Sequence, residues 1–159
     1  VEFLRDDYAE KLLARLSNFD IPAHKVELEI TEQSLSEHGA NYVVRALNLL
    51  KQAGIQISLD DFGTGHSSLT RLQDYPVDCI KIDRNFVERM NSDPSALAIV
   101  KAITQIGSSI ALDILVEGIE NTEQLDTLIH CDCQIGQGFY FYRPMAGASA
   151  QALLHPAYQ

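Results

Sequence analysis

Four short stretches of this chain alternate with a period of two, and each divides its side chains in the same way. In 26–31, Val26, Leu28 and Ile30 hold one phase while Glu27, Glu29 and Thr31 hold the other. In 55–60, Ile55, Ile57 and Leu59 oppose Gln56, Ser58 and Asp60. In 79–83, Ile80 and Ile82 oppose Cys79, Lys81 and Asp83. In 110–117, Ile110, Leu112, Ile114 and Val116 oppose Ala111, Asp113, Leu115 and Glu117. Period two predicts strands. An open doubly wound sheet buries both faces against helices and reads oily on both. Strands with one aliphatic face and one small or polar face fit the wall of a TIM-type (β/α) barrel, with helices outside and a tight interior.

Helical spacing fills the intervals. Phe3, Leu4, Tyr8, Leu12, Leu13 and Leu16 predict a helix over 1–18; Val43, Val44, Leu47, Leu49 and Leu50 predict one over 37–53. Further helices are expected at 67–74, 85–90, 95–108, 121–130 and 148–154, with Ser92 or Asp93 capping the third of these and Pro94 in its first turn. A fifth strand is expected at 134–139. Strand and helix alternate throughout, so the sheet is parallel and the fold class is α/β. A complete barrel has eight strands and about 250 residues. Five strands predict an incomplete portion with two raw edges, covered by a second copy of the chain or by another protein.

Composition narrows the function classes. At 159 residues with 46 % hydrophobic and 21 % charged residues, the chain is an ordinary globular sequence that fits a single domain. A net charge of −10 disfavours nucleic-acid polymers and anionic membranes. No apolar run is long enough to span a bilayer, so no membrane insertion is expected. Cys79, Cys131 and Cys133 lack zinc-ligand spacing and are expected to be reduced thiols in a cytoplasmic setting. The five histidines are scattered, with no HExxH.

The chemistry concentrates at the strand ends. The second strand runs into Asp60-Asp61-Phe62-Gly63-Thr64-Gly65, two adjacent carboxylates followed by a glycine turn. Adjacent like charges are costly unless something holds them. A divalent cation answers that need; an aspartate capping the helix near Ser67 is the alternative. On a barrel, Glu29, Asp60, Lys81 and Glu117 point inward at the C-terminal strand ends, where such folds keep their chemistry. Glu29, Asp60, Asp61 and Glu117 offer oxygen ligands only, which suits Mg2+, Mn2+ or Ca2+. A pair of such ions clamps the attacking and leaving oxygens of a displacement at phosphorus. Lys81 would keep its charge there and orient water or neutralise developing charge. A satisfied salt-bridge network is the competing account. Gln137 shares its phase with Ile135 and Phe139, so its orientation is left open.

With these residues in view, the chain resembles the EAL domain family of cyclic di-GMP phosphodiesterases over essentially its whole length. Glu29-Ile30-Thr31-Glu32 is similar to the family's ExTE, and 60–65 to its DDFGTG. Lys81-Ile82-Asp83 is similar to KxD, Glu117-Gly118-Ile119-Glu120 to EGxE, and Gln137-Gly138 to QG. The resemblance implies hydrolysis of cyclic di-GMP to linear pGpG with Mg2+ or Mn2+. It implies that Glu29 ligates the first metal, Asp60 bridges both, and Asp61 and Glu117 hold the second. Lys81 would contact the nucleophilic water, with Glu117 as a further catalytic group. Glu32 would steady the loop after Asp61, while Asp83, Glu120 and Gln137 would border the substrate. His66, Val116 and Phe139 stand where the family commonly has tyrosine, alanine and tyrosine. The EAL signature, with its metal-binding glutamate, and an asparagine ligand are expected before Val1. The isolated chain is accordingly expected to be an N-terminally truncated domain, 1–159, with impaired activity. A non-catalytic cyclic di-GMP receptor acting through protein partners is the alternative. An unrelated barrel enzyme with Lys81 as Schiff-base nucleophile is disfavoured, because neighbouring carboxylates keep an ammonium protonated.

Overall fold

The computed structural model describes residues 7–31, 40–63, 72 and 75–154. Five parallel strands form one sheet, β1 Glu27–Thr31, β2 Gln56–Phe62, β3 Cys79–Ile82, β4 Asp113–Val116 and β5 Ile135–Gly136, in the order 1-2-3-4-5. The helices are α1 Tyr8–Asn18, α2 Ala40–Gln52, α3 Arg84–Arg89, α4 Pro94–Ile110, α5 Thr122–Ile129 and α6 Gly147–Leu154. Right-handed crossovers between neighbouring parallel strands keep the helices on one face of the sheet. A doubly wound sheet would instead reverse its strand order at some point. This is the wall of a barrel.

Burial agrees with that topology. Ile30, Ile57, Leu59, Ile80, Ile82 and Val116 on the aliphatic face pack with Val43 and Leu47 of α2, Val87 of α3, Val100 and Ile103 of α4, and Leu128 of α5. A second cluster joins α1 to α2 through Ala9, Leu50 and Ile55. The opposite face carries the polar phase. Register places Glu29, Ser58, Cys79 and Asp113 in one row across β1 to β4, with Thr31 beside Asp60 and Lys81 beside Leu115 in the next.

Several boundaries differ from the sequence reading. β4 starts at Asp113, because α4 runs on through Ile110 with Ala96, Val100, Ile103, Thr104 and Gly107 buried at helical spacing. Ala111 ends that helix at φ +56°, its N–H on the Gly107 carbonyl, a left-handed cap that glycine usually supplies. Asp93, not Ser92, caps α4 by accepting from the Ser95 N–H. β3 ends at Ile82, and Asp83 caps α3. β5 is two residues long, so Gln137 and Phe139 are loop residues. The helix expected at 67–74 lies outside the described residues except for Leu72, which is helical and buried. The first residues of the 1–18 and 37–53 helices lie outside them too. No described helix is long and apolar enough to cross a membrane.

Candidate active site at the strand ends

Strand alternation would send two consecutive aspartates to opposite faces. The structure resolves that conflict with a bulge. Leu59 pairs with Ile80 and Phe62 with Ile82, so Asp60 and Asp61 together stand opposite the single residue Lys81. Asp61 takes φ +56°, the left-handed conformation that a bulge allows and that aspartate tolerates better than most residues. Its N–H donates to Asp60 Oδ1 at 3.0 Å. Both carboxylates thereby reach the same rim, and Phe62 returns to the core.

Lys81 is the centre of the rim. Its side chain is 6 % exposed, and its Nζ lies 2.6 Å from Glu117 Oε1, 2.7 Å from Glu29 Oε1 and 3.7 Å from Asp60 Oδ1. Three strands thus deliver carboxylates to one ammonium from β3. Burial alone would lower the lysine's pKa, but the hydrogen bonds to Glu117 and Glu29 outweigh it. With the pull of Glu117 and Asp60 added, the group is held well above its usual range. Two short bonds to carboxylates favour the ammonium form of Lys81, which disfavours an amine nucleophile. The pKa of Asp61 is also raised, which for a carboxylate disfavours the charged form: burial first, then repulsion from Asp60 and Asp83, acts against the opposing pull of Lys81.

Glu117 owes its place to two glycines. Gly118 has φ +77°, and a Cβ there would overlap the Cβ of Arg84 on α3. Gly138 lies flat on the backbone of Ile119, where a Cβ would overlap the Ile119 carbonyl and amide. The Ile119 N–H donates to the Gln137 carbonyl at 3.1 Å, and the Tyr140 N–H to the Ile119 carbonyl at 2.9 Å. The loop after β4 is therefore locked against the loop after β5.

The remaining sequence-predicted residues sit around this centre and not in it. Asp83 accepts from the Asn85 N–H at 2.9 Å as the cap of α3. Glu120 is exposed, its N–H donating to Gln124 Oε1 at 2.8 Å within a capping box at Asn121. Gln137 is exposed, its backbone bonded to Val116 and Ile119. Glu32 lies outside the described residues. The three thiols are unpaired, and Cys131 is buried in the core.

The donor set, four carboxylates without histidine or thiolate, has the chemistry a hard divalent ion prefers. Among the described residues, however, no three acidic, histidine or cysteine side chains converge closely enough to hold one ion as they stand. Glu29, Glu117 and Asp60 face the ammonium instead. The sequence reading missed the bulge and the two glycine contacts. An Asp-Asp pair inside an alternating strand signals the first.

The chain matches the EAL domain family model over residues 2–144. It is 37 % identical over 137 residues to the cyclic di-GMP phosphodiesterase RocR of Pseudomonas aeruginosa, covering 86 % of this chain and 35 % of RocR. Its structure resembles that of the PaMucR phosphodiesterase in complex with c-di-GMP, with TM-score 0.87 and 33 % identity over 94 % of this chain and 60 % of that one. It also resembles a manganese/cy-diGMP complex of Klebsiella pneumoniae BlrP1, with TM-score 0.81 and 27 % identity over 89 % of this chain and 36 % of that one. The chain spans 16 to 35 % of the length of the curated relatives first matched.

Proposed function

This chain belongs to the EAL domain family, and from that premise we propose that its rim serves the metal-dependent hydrolysis of cyclic di-GMP to linear pGpG. One observation carries the reading. Carboxylates from β1, β2 and the end of β4 surround a buried Lys81 at the strand ends of a parallel barrel wall. That is where barrels of this kind place catalysis. The naming of RocR and the ligands of the MucR and BlrP1 structures support the substrate and the class of metal.

Glu29, Asp60, Asp61 and Glu117 are the residues that would hold Mg2+ or Mn2+, by turning from Lys81. The bound ions would polarise the phosphate and acidify a water. Lys81, released by those carboxylates, would present N–H donors toward the attacking water and the charge that builds on phosphorus. Glu117, at the same rim, would accept the proton that the water releases. Water oxygen joins phosphorus, the bond to the ribose 3′ oxygen breaks, and that oxygen leaves as a hydroxyl by taking up the proton Glu117 received. Asp83, Glu120 and Gln137 follow the ends of β3, β4 and β5, where they border the substrate. The edges of β1 and β5 are where a second copy or another chain pairs. The free thiols and the nucleotide substrate suit a cytoplasmic setting.

Incubation with cyclic di-GMP and Mn2+, followed by chromatography of pGpG, tests the proposal. Product that disappears in Asp60→Asn supports it, and equal product in that variant refutes it. Saturable binding without product favours the receptor reading.

A further inference from the structure

Ser58 stands at the centre of β2, fully buried, and its hydroxyl has no hydrogen-bond partner among the described residues. It shares the polar face with the rim. Its register partners are Glu29 on β1 and Cys79 on β3, and two residues further along β2 and β3 lie Asp60 and Lys81. Ser58 therefore forms the floor directly beneath the Asp60–Lys81 pair.

Lys81 has a matching deficit. An ammonium carries three N–H donors. Two make short bonds to Glu117 and Glu29, while Asp60 at 3.7 Å is beyond hydrogen-bond reach. The hydroxyl below has no partner among the described residues, and the third carboxylate above lies too far to take the remaining ammonium hydrogen. Buried polar groups in native proteins are paired with protein or with ordered water, and a buried water characteristically bonds two to four polar groups. Alanine would fill this site without an orphaned hydroxyl, so the hydroxyl has a use.

We propose that Ser58 is a positioning residue for Lys81: its hydroxyl and the third ammonium hydrogen share one buried water, which fixes the ammonium beneath the carboxylates. The half-buried Cys79 thiol, in register with Ser58, is a third polar neighbour for that water. The consequence for the rim is directional. A lysine anchored from below keeps its place when the carboxylates above it turn to other partners. Only this catalytic consequence rests on the proposed function; the hydrogen bonding does not.

Thermal unfolding of wild type, Ser58→Ala, Ser58→Cys, Lys81→Met and the Ser58→Ala/Lys81→Met double variant tests it. Ser58→Ala and Ser58→Cys should each lower Tm by about 2–4 °C. Ser58→Ala should add nothing in the Lys81→Met background, because the water has lost its upper partner. An unchanged or raised Tm in Ser58→Ala overturns the proposal, since removing a mere orphan is neutral or stabilising. So does a Ser58→Cys protein as stable as wild type, or an equal loss in both backgrounds. If Lys81→Met does not fold, the Lys81 ammonium resonances decide: visible in wild type and lost to exchange in Ser58→Ala, or unchanged and the bridge is refuted. In the pGpG assay Ser58→Ala should lower kcat about tenfold at unchanged KM. An inactive wild type contradicts the proposed function alone and leaves the unfolding cycle to judge Ser58.

Discussion

Lys81 Nζ lies 2.6 Å from Glu117 Oε1, a bond that ties the middle of β3 to the residue just beyond β4. Because Lys81 is buried while Glu117 and Asp60 are only partly exposed, this bond and its Glu29 counterpart act in a weakened dielectric. Lys81→Met leaves three carboxylates repelling one another. We expect a loss of about 2–3 kcal/mol, below the range for fully buried pairs because Glu29 is half exposed. Denaturant unfolding measures it. The same variant should bind Mn2+ more tightly by calorimetry, since the competing cation is gone; weaker binding would mean that Lys81 supports the metal.

Gly138→Ala should be among the most damaging small substitutions in the chain. The new Cβ overlaps backbone atoms of Ile119, which cannot rotate away as a side chain can. A loss of about 2–3 kcal/mol is expected. Gly54→Ala makes a useful contrast. It has a positive φ, which Gly138 does not, but its Cβ would meet only ordinary contacts near His24, so it should cost about 1 kcal/mol. Equal Tm values for the two variants would contradict the locked-loop description.

Asp83 separates capping from substrate contact. Asp83→Asn keeps an acceptor for the Asn85 N–H and should retain stability, whereas Asp83→Ala should lose about 1 kcal/mol. If Asp83 also borders the substrate, Asp83→Asn raises KM for cyclic di-GMP at unchanged Tm.

Alkaline pH should destabilise the fold in a defined order. Burial pushes Cys79 up to about 11, against a weaker opposing bond at Leu115, and burial pushes Cys133 to about 12. Groups with raised pKa hold protons that the unfolded chain releases. Their contribution is whole below the unfolded value, about 8.5 for a thiol, and is lost as pH rises toward the folded value. Lys81 adds a loss of the same sign above about pH 10. Tm should therefore fall steadily above about pH 9, and a rise would contradict these environments. At neutral pH iodoacetamide should modify neither thiol readily in the native protein.

Sequence periodicity made the barrel wall legible because its two faces differ chemically: Ile57 and Leu59 against Ser58 and Asp60 could serve only one topology. The rim was less legible. Alternation places Asp61 away from Asp60, and only the Asp-Asp pair itself signals the bulge opposite Lys81 that brings them together. Ile110-Ala111-Leu112 satisfies both helical and strand periods, and a left-handed alanine hid the boundary that glycine would have marked. The brevity of β5 is a tertiary outcome: just past it, Gly138 packs on the Ile119 backbone where a strand residue would continue the sheet. Asp83 shares the polar phase of 79–83 in the sequence, but the strand ends at Ile82 and capping takes over at Asp83.

The claim at the centre is that divalent ions gather at the C-terminal ends of these strands and nowhere else on the polar face. Titration of Mn2+ in the presence of cyclic di-GMP into wild type, Asp60→Asn and Asp113→Asn tests it directly, since Asp113 shares that face at the other end of its strand. Binding that is lost in Asp60→Asn and intact in Asp113→Asn is the predicted result. Binding that survives in Asp60→Asn would contradict it.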